Sequence, residues 1–216
     1  MEREFWTERW QAGQIGFHEG EVNRHLRQYW SQLAPTPDEV VFVPLCGKSA
    51  DLAWLNECGH RVIGVELSEL ACRAFFAERG LEPEVSRAGT HTRYRHGGIS
   101  ILCGDFFELT RENLDGATLV YDRAALIALS PRMRERYCRH LVELMGSDAR
   151  GLLITLDYPE QAFSGPPFAV SDAEVRELLA DHFTIDRLHH AGLGPDDALV
   201  QRGLEAGSES VFVLRG

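Results

Sequence analysis

Apolar runs of five to eight residues alternate with helix-length amphipathic runs along most of the chain. That order restricts the fold more than any other feature, because parallel strands need long crossover connections while antiparallel ones do not. The runs "VVFVP" (40–44), "RVIGVE" (61–66), "ISILCG" (99–104), "ATLVYD" (117–122), "GLLITLDY" (151–158), "FTIDRLHH" (183–190) and "ESVFVLR" (209–215) predict seven strands. The last two are joined by "AGLGPDDALVQRGLEAGS", too short and too rich in glycine for a crossover helix, so these strands are expected to pair antiparallel. The expected fold class is α/β: a seven-stranded, mostly parallel sheet with helices on both faces and a reversed last strand.

Between the strands, residues 50–58 and 69–78 carry apolar side chains at helical spacing, the second behind Ser68 as a candidate N-cap. Ser130-Pro131 offers a cap followed by proline at the first helical position and predicts a helix to about Met145. Ser171 and Glu174 have capping-box spacing and predict another. At 216 residues, without a linker or repeat, the chain is expected to form a single domain spanning 1–216, with an aromatic N-terminal segment over 1–35 and the sheet core over 36–216.

A net charge of -11 opposes binding to nucleic acid backbones and to anionic membrane surfaces. No apolar run reaches about 18 residues, and "MEREFWTERW" lacks the basic-then-apolar pattern of a secretory signal, so a cytoplasmic location is expected. Cys46, Cys58, Cys72, Cys103 and Cys138 are odd in number and widely spaced, which predicts reduced thiols. His189 and His190 adjoin in an expected strand and point to opposite faces, a poor arrangement for a shared metal.

The loop after the first strand, "PLCGKS" (44–49), invites a phosphate-binding reading, since Gly47-Lys48-Ser49 ends the pattern G-x-x-x-x-G-K-[ST]. Phe42 stands where that pattern needs its first glycine, and the dinucleotide pattern G-x-G-x-x-G fails as well. Glu66 nevertheless ends the second strand, 21 positions after Leu45, where an acidic side chain accepts hydrogen bonds from ribose hydroxyls. A ribose without a pyrophosphate points to S-adenosylmethionine. Asp105 and Phe106 follow the third strand, where a carboxylate can accept from an adenine amino group and a ring can stack on the base. Arg123 ends the fourth strand, at the rim where open α/β sheets bind ligands. Lys48 is the only lysine, against 21 arginines. Its place in the loop invites a direct role, although a compositional bias explains it as well.

With these residues in view, the chain resembles the thiopurine S-methyltransferase family of Rossmann-like, S-adenosylmethionine-dependent methyltransferases. The matching stretches are "WTERWQAGQIGFH" (6–18), "PLCGKS" (44–49), "GVELSE" (64–69), "DRAAL" (122–126) and "GPPF" (165–168). The resemblance implies that Trp10, Leu45, Glu66 and Arg123 contact the cofactor, that Asp105 and Phe106 lie beside its adenine, and that Phe17 lies where cofactor and substrate meet, with Arg123 also facing the substrate. Trp6 and Trp10 are four apart and share one face of a helix. Trp6 is read as packing on the core. Trp10 and Phe17 are read as a lid, because flat aromatic walls suit a flat heteroaromatic substrate and a sulfonium cation.

The reaction implied moves the sulfonium methyl to the sulfur of an aromatic or heterocyclic thiol, with a small-molecule partner only and the enzyme acting as a monomer. Aromatic thiols ionise readily at neutral pH, so no general base is required and none is assigned. Alternatives are methylation of inorganic selenium or tellurium species, as in tellurite resistance, a nicotinamide-dependent oxidoreductase, and a non-catalytic sensor of adenosine ligands. The missing glycines argue against the oxidoreductase.

Overall fold

The apolar run Val40–Val43 is a strand buried at every position, as a central parallel strand covered on both faces requires. In the computed structural model, which describes residues 3–13, 20–159 and 161–216, the chain divides into two units, Met1–Tyr121 and Asp122–Gly216.

The first unit opens with α1 (Arg3–Gln11) and α2 (Arg24–Tyr29). The Asn23 carboxamide caps α2 by accepting from the backbone N–H groups of His25 and Leu26 at 2.9 and 3.3 Å. Then follow β1 (Val40–Val43), α3 (Asp51–Glu57), β2 (Arg61–Glu66), α4 (Glu69–Ala77), β3 (Glu84–Ala88), β4 (His91–His96), β5 (Ile99–Cys103) and β6 (Leu119–Arg123). The strand order in this unit is β3-β4-β5-β2-β1-β6. The strands β5, β2, β1 and β6 run parallel, and β3-β4 is an antiparallel hairpin added at the edge beside β5. The chain order reverses direction at β1, with β2 on one side and β6 on the other, the kind of switch point beyond whose strand carboxyl ends open α/β sheets bind ligands.

The second unit contains α5 (Pro131–Met145), β7 (Arg150–Asp157), α6 (Asp172–Leu179), β8 (Thr184–Gly192), α7 (Ala198–Gln201) and β9 (Ser208–Arg215). Strand β9 pairs antiparallel with both β7 and β8, so the expected reversal of the last strand is present. A small apolar cluster of Tyr158, Leu199 and Leu204 packs at the end of β7.

All seven expected strands are present, β2 with the expected bounds and the others with one or both ends displaced by one or two residues, and so are the helices expected behind Ser68, Ser130 and Ser171. The hydroxyls of Ser68 and Ser171 cap as expected, whereas Ser130 makes no side-chain cap bond and the helix after it starts on proline alone. The described residues add two strands to the expected seven, β3 and β4. Their polar sequence, "EVSRA" and "HTRYRH", carries no apolar alternation because β3 is an edge strand exposed along most of its length. Among the described residues no helix is long and apolar enough to cross a membrane.

Candidate functional site

The loop after β1 is shaped by its backbone. Leu45 takes a left-handed conformation with φ of 48° and Gly47 one with φ of 54°. A left-handed leucine is strained and persists only where its surroundings hold it. They do: the Cys46 N–H donates to the Val65 carbonyl at 2.9 Å, drawing the loop across the end of β2. The Cys46 sulfur then lies so close to Gly64 that a Cβ there would stand 2.6 Å from it, which fixes glycine at that position.

Glu66, the last residue of β2, is 7% exposed. One carboxylate oxygen accepts from the Gly47 N–H at 2.9 Å and the other from the Ser68 N–H at 2.7 Å. Burial raises its pKa, and the backbone N–H groups of Ser68, Gly47 and Leu67 pull it part of the way back. A carboxylate has about four acceptor positions, so two bonds leave room for the two hydroxyls of a ribose. The indole of Trp10, on α1, is 6% exposed and lies on this loop, 3.3 Å from where a Gly47 Cβ would stand. Leu45, Gly47, Glu66 and Trp10 are thus gathered at the carboxyl ends of β1 and β2.

Lys48 pairs its ammonium with Glu78, the residue after α4. This accounts for Lys48 structurally.

Asp105 follows β5, next to β2, where the Gly104 N–H donates to the Glu66 carbonyl at 2.9 Å. Its carboxylate accepts from the Phe107 N–H at 2.9 Å and caps the short 3-10 turn of residues 106–108. Its carbonyl accepts from Nε2 of His91, a fully buried residue of β4, at 2.9 Å. Phe106 is 6% exposed and stacks on Phe42 of β1, with ring centroids 6.3 Å apart and planes 16° from parallel, while Phe107 meets it edge-on. One face of the ring predicted to stack on adenine therefore belongs to the core. Phe17 lies outside the described residues.

The second unit begins with Asp122 and Arg123, the last two residues of β6. Arg123 is half-buried. Asp122 is 3% exposed and accepts three hydrogen bonds: from the Ala125 and Leu126 N–H groups at 3.1 and 3.2 Å on one oxygen, and from the Tyr137 hydroxyl of α5 at 2.6 Å on the other. Burial pushes its pKa up to about 6. Between them Ala124 is left-handed, with φ of 73°. The "GPPF" stretch is fastened to the same segment, since the Phe168 N–H donates to the Ile127 carbonyl at 2.7 Å and the Tyr158 hydroxyl donates to the Pro167 carbonyl.

Sequence reasoning missed the supports of these residues. Asp122 entered only as an end residue of the "ATLVYD" and "DRAAL" stretches, and Tyr137 and His91 carried no signal, because each acts through a contact distant in sequence. The cysteines are free thiols; burial raises the pKa values of Cys46 and Cys138, and a hydrogen bond with Cys103, followed by burial, raises that of Cys72. His190 bonds Ser210 at 2.9 Å. Among the described residues no three His, Cys, Asp or Glu side chains are grouped so as to hold a metal ion.

A family model described as thiopurine S-methyltransferase matches residues 1–216. The chain is 48% identical over 216 residues to a thiopurine S-methyltransferase of Marinobacter nauticus, covering 99% of each chain. It is 48% identical over 217 residues to one of Pseudomonas fluorescens, covering 100% of each. Among solved structures, Burkholderia thailandensis 1,6-didemethyltoxoflavin-N1-methyltransferase, with bound 1,6-didemethyltoxoflavin and S-adenosylhomocysteine, matches with a TM-score of 0.67 at 19% identity over 99% of this chain and 86% of that one. Magnesium protoporphyrin IX methyltransferase of Synechocystis, with bound S-adenosylhomocysteine, matches with a TM-score of 0.62 at 15% identity over 99% of both. At such identities the structural likeness carries the fold alone.

Proposed function

The chain belongs to the thiopurine S-methyltransferase family, and on that premise we propose that Trp10, Leu45 and Glu66 hold the adenosyl donor while Arg123 serves donor and substrate. The enzyme is an S-adenosylmethionine-dependent methyltransferase that methylates the sulfur of aromatic or heterocyclic thiols such as thiopurines. We take it to act as a monomer in the cytoplasm, on a small molecule and without nucleic acid or membrane partners.

The residues fit this donor. Glu66 is a buried carboxylate held by two backbone N–H groups with acceptor positions to spare, which suits a ribose diol. The left-handed Leu45 and Gly47 turn the loop without forming a glycine-rich anion nest, which suits a ligand that carries no diphosphate. Asp105, with its carbonyl fixed by His91, is assigned to the adenine edge, and Phe106 contributes a supporting wall rather than an open stacking face.

When bound, the donor supplies an electrophilic methyl group on a cationic sulfur. The chain's part is to hold and exclude. A net charge of -11 favours a cationic ligand over anionic competitors, and the Trp10 indole adds an apolar wall at the loop. Arg123 is assigned to the substrate thiolate, whose charge a guanidinium stabilises without removing a proton. Positioning and water exclusion then carry the rate, since neutral pH already supplies thiolate from an aromatic thiol.

The observation that carries the reading is the clasp of Glu66 on the Gly47 N–H at the carboxyl end of β2. The test is calorimetric titration with S-adenosylhomocysteine and NADH, together with methyl transfer from labelled S-adenosylmethionine to a panel of thiols and chalcogen oxyanions. The expected result is binding of the adenosyl ligand alone, with methylated thiol as product. Binding of NADH instead, or adenosyl binding without turnover on any thiol, would overturn it.

A further inference from the structure

We propose that Asp122 is a positioning residue for Arg123, acting through the turn that follows it and locked from behind by Tyr137. The proposal rests on the assignment of Arg123 to the ligands.

The turn does not hold itself. Strand β6 stops at Arg123, and the next residue, Ala124, is left-handed without being glycine. Such a residue returns to the right-handed or extended regions unless its neighbours prevent it. The Asp122 carboxylate does so by reaching past Arg123 and Ala124 to accept from the Ala125 and Leu126 N–H groups at 3.1 and 3.2 Å. This closes a ring that spans Arg123 and Ala124, and it starts the 3-10 turn Leu126–Ala128. The second carboxylate oxygen accepts from the Tyr137 hydroxyl at 2.6 Å, and Tyr137 is itself 1% exposed, so the carboxylate cannot rotate away.

The backbone of Arg123 is therefore fixed on both sides, by the strand before it and by the ring after it, while its side chain stays half-buried at the rim. A guanidinium recognises an anion through a planar fork, so its benefit depends on the direction from which it enters. Groups facing the Asp122 carboxylate are Tyr137 and Cys138 from α5, with Arg123 following on its own strand. Asparagine at 122 keeps one acceptor for the turn but replaces the charged acceptor of the Tyr137 hydroxyl with an amide N–H that can only donate to the phenol oxygen, a weaker neutral bond, so the lock loosens while the packing volume is kept.

The test is a double-mutant cycle in thiol-methylation kinetics with the wild type, D122N, R123A and D122N/R123A. D122N is expected to lower kcat/KM on the order of tenfold, mainly through KM, as a small misplacement of a binding group does. In the R123A background the same change is expected to have no further effect. An equal loss in both backgrounds, or wild-type kinetics for D122N, would overturn the proposal. Wild-type kinetics for R123A would instead overturn the assignment of Arg123 on which it stands. If D122N unfolds, Y137F removes only one of the three bonds to the carboxylate. It is expected to shift KM in the same direction by less and to be silent with R123A, and an additive effect there would count against the lock.

Discussion

The indole of Trp10 rests on the loop after β1 at Gly47, so closely that a Cβ on that glycine would stand 3.3 Å from Cζ2 of the ring. The contact joins α1 to the loop that follows β1 and explains why the glycine is doubly constrained. Its φ of 54° disfavours any side chain, and its surface is covered by an aromatic ring.

Gly47→Ala is therefore expected to cost about 1–2 kcal/mol of stability from the left-handed conformation alone. It also displaces the indole by a few tenths of an ångström. Chemical denaturation measures the first effect and calorimetric titration with S-adenosylhomocysteine the second. A variant with unchanged stability and affinity would mean that the loop relaxes freely and that Trp10 does not depend on it.

Glu66→Ala is expected to weaken donor binding by about 1–3 kcal/mol, since hydrogen bonds to a charged acceptor are lost. Glu66→Gln is expected to be little better, because its amide N–H₂ must face one of the two backbone N–H groups that the carboxylate now satisfies. The raised pKa gives a pH signature. As pH falls through the folded-state value, which lies above the ordinary carboxylate range, Glu66 gains a proton and loses an acceptor, so affinity drops. The same protonation contributes stability, because the folded state holds that proton more tightly than the unfolded one. Affinity and stability measured across this range should move in opposite directions for the wild type, and the affinity limb should be absent in Glu66→Gln.

The residues that sequence assigns to the proposed site lie mostly at the ends of apolar strands. The places of Glu66 and Arg123 at strand ends were legible because a run of buried residues leads to each, and that of Leu45 because it opens a loop between such a run and a helix. The supports were not legible, because they are long-range and polar. Tyr137 meets Asp122 across 15 residues, His91 meets Asp105 across 14, and the left-handed Ala124 has no glycine to announce it. The hairpin β3-β4 escaped for a related reason: an edge strand of charged residues has no apolar period to detect. The burial of Phe106 against Phe42 likewise depends on strand order rather than on local sequence.

That hairpin reaches the proposed site through His91, which bonds the Asp105 carbonyl. The ring is fully buried, its Nδ1 side meets the Thr90 hydroxyl at 3.1 Å, and its Nε2 holds the Asp105 carbonyl. His91→Ala leaves that carbonyl without its donor and opens a cavity beside Gly104, which packs directly on the ring. A loss of about 2–4 kcal/mol of stability is expected. The thermal shift produced by S-adenosylhomocysteine is also expected to shrink, because the loop carrying Asp105 is no longer held. A full-sized shift in a destabilised variant would confine His91 to packing.

Lys48 supplies the opposite kind of expectation. As the only lysine of the chain, set in the loop after β1, it attracts a catalytic reading. Its ammonium is instead paired with Glu78, and its side chain is 12% exposed while that of Glu78 is 50% exposed. An ion pair with one partner so open to water contributes little, about 0–1 kcal/mol. Lys48→Met keeps the aliphatic stem against the loop and removes only the charge, so stability is expected to change by no more than that amount. Turnover on an aromatic thiol is expected to stay within roughly twofold, since less than about 0.5 kcal/mol of transition-state energy is at stake. Steady-state kinetics checks this directly. A fall in kcat of an order of magnitude with donor affinity unchanged would show that the ammonium leaves Glu78 in the ternary complex and acts on the reacting groups.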